Sequence, residues 1–255
     1  MSTPQGAFAE LARGGGRGAL VTVLAGADPG AKLLVGADRA TQGSLGSPGL
    51  EAIAVELAEE LMWSERSERR EVGDVTLFVD VTFPAPRLVA FGAVDLAGAL
   101  CRIARATGWR PYVVDPRKRF AQPARFPDAE QVIAAWPEEA FAQLGGIDRA
   151  TAIAVLTHDP KLDDAALLLA LRSDAGYIGA MGSRRAQASR RDRLLAQGVT
   201  EEELARVAAP IGLDLGALTV EETALSVMAE IVAAKHGHSG GRLAHARGRI
   251  HEVGV

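Results

Sequence analysis

Four short stretches carry residues that could do chemistry together. "THDPKLDD" (157–164) places His158, Asp159 and Lys161 just after an apolar run. His158 is the one histidine outside the last 20 residues, and a histidine beside an acid can serve as general base. Asp159 could equally cap a helix. "GSRRAQASRRDRL" (182–194) puts Gly182, Ser183 and Arg184 at a turn-to-helix junction. Ser183 suits an N-cap. Cations in a first helical turn oppose the dipole, so Arg184 and Arg185 read as an anion site. A solvated basic face is the alternative, because Arg190, Arg191 and Arg193 follow. "PIGLDLGALT" (210–219) sets Gly212 and Gly216 around Asp214, which suits either anion or ring binding or a packing turn.

The fourth stretch is "RLVAFGAVDLAGAL" (87–100). Gly92-Ala93-Val94 stands where a dinucleotide fold keeps its first two phosphate-loop glycines, with valine in place of the second. The next strand, "PYVVD", closes on Asp115, where such folds keep an acid for a ribose hydroxyl. Tight turns would produce both features without a nucleotide. Four histidines, His236, His238, His245 and His251, crowd the end of the chain in no zinc spacing and with no cysteine partner, so no metal is expected. Cys101, the single cysteine, sits among apolar neighbours and reads as core.

The elements that must position these residues follow from periodicity. "ALVTVLAGAD" (19–28), "AKLLVGAD" (31–38) and "DVTLFVDVTF" (74–83) read as strands, "TQGSLGSPG" as a turn and "LEAIAVELAEELMW" (50–63) as an amphipathic helix. "PAPR" (84–87) breaks the pattern and marks a boundary. Beyond it, short apolar strands alternate with helices: "LVAF", "PYVVD", "TAIAVLTH" and "GYIGAM". This is the pattern of a parallel sheet covered on both faces, whose ligands sit at the carboxyl ends of the strands. Thr200 with Glu203 and Thr219 with Glu222 have capping-box spacing. The expected organisation is an α/β chain: a small N-terminal α/β domain (1–84), a Rossmann-like parallel-sheet domain (85–236) and a flexible tail (237–255). His158 and Asp159 are expected to face the cleft between the two domains.

A net charge of −4 gives no reason to expect nucleic acid or an anionic membrane as partner. No apolar run is long enough to span a bilayer. With no secretory signal at the N-terminus and one cysteine, a cytoplasmic protein is expected.

"RFPDAE", "THDPKLDDAALLLAL", "YIGAMGSRR" and "PIGLDLGALTVEETALSVMAEIVA" resemble, in order, the C-terminal Rossmann-like domain of the XdhC/CoxI family. "ALVTVLAG", "GAKLLVGAD" and "GSLGSPGLEA" resemble its N-terminal domain more weakly. The likeness runs from about residue 18 to 236. Two departures stand out: many members read Gly-Ala-Gly at 92–94, and Gly-Gly-Cys where this chain has Pro48-Gly49-Leu50. The resemblance implies an accessory protein of molybdenum hydroxylases, a chaperone rather than a conventional enzyme. Such a protein binds the molybdenum cofactor transiently, as molybdopterin or its dinucleotide form, protects it during sulfuration and delivers it to an apo-enzyme of the xanthine dehydrogenase family. It also implies a homodimer and a cysteine desulfurase as further partner. On that reading Gly92, Ala93, Asp115, His158, Asp159, Gly182, Ser183, Arg184, Gly212 and Asp214 bind the cofactor. An NAD(P)- or FAD-dependent oxidoreductase using His158 as acid or base is the competing reading, and Val94 speaks against it.

Overall fold

A computed structural model describes residues 2–26 and 28–245. The chain divides between Pro84 and Ala85 into two compact units. In the N-terminal unit, α1 (Pro4–Arg13) precedes β1 (Gly18–Ala25), β2 (Lys32–Gly36), β3 (Thr41–Ser44), α2 (Pro48–Ser64), β4 (Glu68–Val72) and β5 (Val75–Thr82). The five strands form an antiparallel sheet in the order β3-β2-β1-β5-β4. Alternate residues of β1 and β5, among them Ala19, Val21, Leu77 and Val79, pack against Ala54, Ala58, Leu61 and Met62 of α2.

Three of these elements depart from the sequence pattern. The glycine-rich stretch expected to be only a turn supplies β3, an edge strand paired with β2. The charged segment "ERREV" forms β4 on the opposite edge. Lateral hydrogen bonds to one neighbour suffice at an edge, and charges there discourage further pairing. α1 buries no residue and is set by its Thr3 cap, whose side chain accepts the Gly6 N–H.

The second unit holds six parallel strands: β6 (Arg87–Phe91), β7 (Arg110–Val114), β8 (Gln131–Ile133), β9 (Thr151–Val155), β10 (Tyr177–Ala180) and β11 (Val207–Ala208). Their order is β11-β10-β9-β6-β7-β8, so the direction of winding reverses between β6 and β9. This is the doubly wound arrangement of dinucleotide-binding folds. The intervening helices are α3 (Asp95–Ala106), α4 (Pro137–Gln143), α5 (Pro160–Leu171), α6 (Arg184–Ala196), α7 (Glu201–Leu204) and α8 (Val220–Lys235).

Both faces of the sheet are buried, which is why its strands are apolar throughout rather than alternating. Leu88 and Ala90 of β6 pack with Leu100 of α3 and with Val227 and Met228 of α8. Val89 and Phe91 of the same strand pack with Leu167 of α5, Ala140 of α4 and Leu194 of α6. The expected capping boxes on α7 and α8 are both present, each Thr accepting the N3 N–H and each Glu returning to the cap N–H. The tail shows a short 3-10 turn at Leu243–His245, and its residues 246–255, with His251, lie outside the described residues. No helix among the described residues is long and apolar enough to cross a membrane.

Candidate functional site at the strand ends

β6 and β9 run in register, Phe91 opposite Val155, and end together at the switch point. A pocket of about 640 Å³ opens there. Five segments line it: Val94 and Leu96 at the start of α3, Arg117 after β7, Leu156–Asp159 after β9, Met181 after β10, and Leu218–Val220 with Thr223 at the start of α8. The volume lies within the range of small-molecule sites, and the mix of apolar walls with few polar groups is typical of them.

The turn after β6 depends on glycine. Gly92 has φ +114°, and a Cβ there would stand 2.5 Å from Thr157 Cγ2 and 3.3 Å from Thr157 N. Glycine therefore lets the loops after β6 and β9 close on each other. Val94 follows as the N-cap of α3 in extended backbone (φ −101°), which any residue adopts. The substitution for glycine thus costs no strain; its effect is a side chain in the pocket wall. Asp95 comes next, its carboxylate exposed in the first turn and 3.2 Å from Arg125.

Asp115 is fully buried. It accepts the Ala93 N–H (2.9 Å), the Arg117 N–H (2.9 Å) and two guanidinium bonds, from Arg117 Nε (2.9 Å) and Nη2 (2.8 Å). Burial opposes its ionisation, but the Arg117 hydrogen bonds and the Ala93 N–H outweigh that and hold its carboxyl below the ordinary range. The acid that would receive a ribose is thus already engaged within the protein. Arg117 also lies 4.8 Å over the Phe120 ring.

The loop after β9 is fixed from beneath. The Thr157 hydroxyl donates to Asp163 Oδ1 and accepts the Asp159 N–H (3.0 Å). Arg190 of α6, 6% exposed, donates through Nη2 to Asp163 Oδ2 (2.8 Å) and to the Met181 carbonyl (3.0 Å). Burial pushes the Asp163 carboxyl up, against the bonds from Thr157 and Arg190. This buried network ties α5 and α6 to two of the loops that line the pocket. Asp159 caps α5, its Oδ1 accepting the Lys161 N–H (3.0 Å). His158 is exposed at the pocket wall.

The expected residues therefore separate. His158 and Asp159 line the pocket, with the Gly92–Ala93 turn and Asp115 directly behind Val94 and Arg117. Gly182, Ser183, Arg184, Gly212 and Asp214 are not among its lining residues. Ser183 caps α6 and accepts the Ala186 N–H (3.2 Å). Arg184 is exposed in the first turn of that helix. The basic face expected beyond it is largely spent on protein acids: Arg190 on Asp163, Arg193 on Asp164 and Arg191 on Glu201. Gly212 (φ +106°) donates its N–H to Glu230 (2.7 Å), and a Cβ there would stand 2.5 Å from Ser226 Oγ. Its loop packs on α8. Asp214 is exposed. Arg117, Val220 and Thr223 escaped sequence reasoning, whereas Leu218 and Thr219 close the 210–219 stretch it singled out; the signal for Arg117 was a strand-end acid two residues before a cation. Burial pushes the Cys101 thiol up to about 12, so it offers no thiolate at neutral pH. Among the described residues no three His, Cys, Asp or Glu side chains gather to hold a metal ion.

Residues 88–231 match the family described as the XdhC Rossmann domain, and residues 11–73 match the XdhC and CoxI family. The chain is 33% identical over 156 residues to a Bacillus subtilis (strain 168) protein named as a probable xanthine dehydrogenase subunit, which covers 61% of this chain and 45% of that one. It is 30% identical over 152 residues to the molybdenum cofactor insertion chaperone PaoD of Escherichia coli (strain K12), covering 60% of this chain and 41% of the other. The matches thus span less than half the length of these relatives. A crystal structure described as a xanthine dehydrogenase from Bacillus halodurans shares the fold, with a TM-score of 0.62 and 22% identity over 91% of this chain and 66% of that one.

Proposed function

Because the chain belongs to the XdhC and CoxI family, we propose that it is an accessory factor that binds the molybdenum cofactor and delivers it, sulfurated, to an apo-enzyme of the xanthine dehydrogenase class. The likeness to a protein named for cofactor insertion supports the role. The observation that carries it is the switch-point pocket: large enough for a pterin, with apolar walls and polar groups at Arg117, Thr157, His158, Asp159, Thr219 and Thr223. The cofactor is cargo. Its pyranopterin would lie against the apolar walls, its polar edges within reach of His158 and Thr157, and its phosphate on a cation. Gly92 and Ala93 shape the turn beneath it, and Asp159 fixes the loop that carries His158. Arg184 is exposed outside the pocket lining and has no contact with the cofactor on this reading.

An oxidoreductase reading meets three obstacles at the place where a dinucleotide lies in this fold. Val94 occupies the approach to α3, Asp95 puts negative charge at its first turn, and Asp115 is committed to Arg117.

The test is to express the chain in a cell that makes molybdopterin, to identify released small molecules by mass spectrometry, and to mix the loaded protein with apo-enzyme. Recovery of a pterin and activation of the apo-enzyme are expected. A preparation that carries NAD or FAD and no pterin overturns the proposal.

A further inference from the structure

Resting on that reading, we infer that the pocket selects a ligand ending in a single phosphate monoester, held by Arg117, and rejects the dinucleotide form of the same cofactor. Four observations lead there. First, Arg117 is oriented before any ligand arrives. Asp115 holds it in a two-point pair through Nε and Nη2, at 2.9 and 2.8 Å, and the Phe120 ring lies beneath it at 4.8 Å. A planar guanidinium fixed in this way presents its remaining edge in one direction. Second, that edge is open to the pocket: Nη1 makes no hydrogen bond among the described residues, and its only further charged company there is the Asp159 carboxylate, which caps α5 rather than bonding the guanidinium. Third, Arg117 is the one Lys or Arg among the lining residues, so one anionic group, not two, finds a cation.

The fourth observation concerns where a second phosphate would go. A pyrophosphate in this fold lies over the first turn of the helix after the first strand, on its amides. Here that turn carries the Val94 side chain in the pocket wall and the exposed Asp95 carboxylate. The first fills space that a glycine would leave open. The second already complements the helix dipole, in an ion pair with Arg125. The site thus offers one anion anchor on the side of β7 and obstructs the other.

Three fluorescent oxidised pterins derived from the cofactor test this: one carrying its terminal phosphate, the same compound after phosphatase treatment, and the guanosine dinucleotide form. Each is titrated against the full chain, against Arg117→Ala and Arg117→Lys, and against Val94→Gly. The wild type is expected to bind the phosphorylated pterin at least about tenfold more tightly than either other form. Arg117→Ala should lose most of that margin, leaving the dephosphorylated pterin unchanged. Arg117→Lys, which keeps a charge for Asp115 and so guards against loss of folding, should keep only part of it. Val94→Gly should raise affinity for the dinucleotide. Equal binding of all three pterins, or an Arg117→Ala loss shared by the dephosphorylated compound, overturns the inference and leaves the proposed function standing. Failure of every pterin to bind overturns both.

Discussion

At the scale of single residues, Asp115 is the pivot. Its carboxylate joins the turn after β6, through Ala93, to the residue that offers a cation to the pocket. Its folded pKa is lowered, so its contribution to stability is present above the unfolded value of about 3.9 and is lost as pH falls through the lower folded value. Asp115→Asn is therefore expected to be less stable than wild type by about 1–3 kcal/mol at pH 7, with the two proteins converging below about pH 3.9. Urea unfolding at a series of pH values checks this; a difference that persists undiminished at pH 2 contradicts it. Gly92 is the second residue on which the site depends. Gly92→Ala must either hold φ near +114° with a side chain or push back Thr157. Backbone strain alone costs about 1–3 kcal/mol, and the overlap adds to it. A lower denaturation midpoint and weaker pterin binding should appear together, because the residue displaced, Thr157, lines the pocket.

At the scale of elements, the start of α8 is both a helix end and a wall. Thr219 closes a capping box with Glu222 and also lines the pocket. Thr219→Ala should cost about 1 kcal/mol in stability and also weaken pterin binding. Thr200→Ala removes the equivalent cap from α7, away from the pocket, and should lower stability without touching binding. Fluorescence titration beside thermal melts of the two variants separates them.

Both boxes were legible in the sequence, because a capping box is local chemistry: two side chains three positions apart. The apolar strands and the glycine turn were legible for the same reason. β4 and β3 were not. Their residues carry no apolar alternation, since an edge strand is held by backbone hydrogen bonds to one neighbour, here the strand next to it in sequence, rather than by a buried face. The site divided along the same line. His158 and Asp159 could be read from the end of an apolar run. Arg117 sat unnoticed in a basic stretch, because what singles it out is a buried carboxylate in front and an open pocket behind. The α8 residues reach the pocket only through the packing of α8 on α3, which no local pattern announces.

At the scale of the whole molecule, each unit holds its own core: one cluster centred on α2, and two that flank the parallel sheet. A fragment spanning 85–245 contains every residue that lines the pocket. It is expected to unfold in one cooperative transition and to bind the phosphorylated pterin with the affinity of the full chain. Calorimetry and titration of the fragment check this, and a fragment that folds but does not bind would move the site's requirements to the other unit.

The pocket's opposing walls, at Val94–Leu96 and Leu218–Thr223, are among the earliest and latest parts of their unit to leave the ribosome. The sheet can begin to assemble as β6 and β7 emerge, but a growing chain has no complete pocket until α8 has been made and has docked on α3. A chain cut short before residue 218 would carry the glycine turn, the buried carboxylate and the arginine, and still lack one wall of the pocket. Translation thus runs nearly to the close of this unit before the pocket is finished.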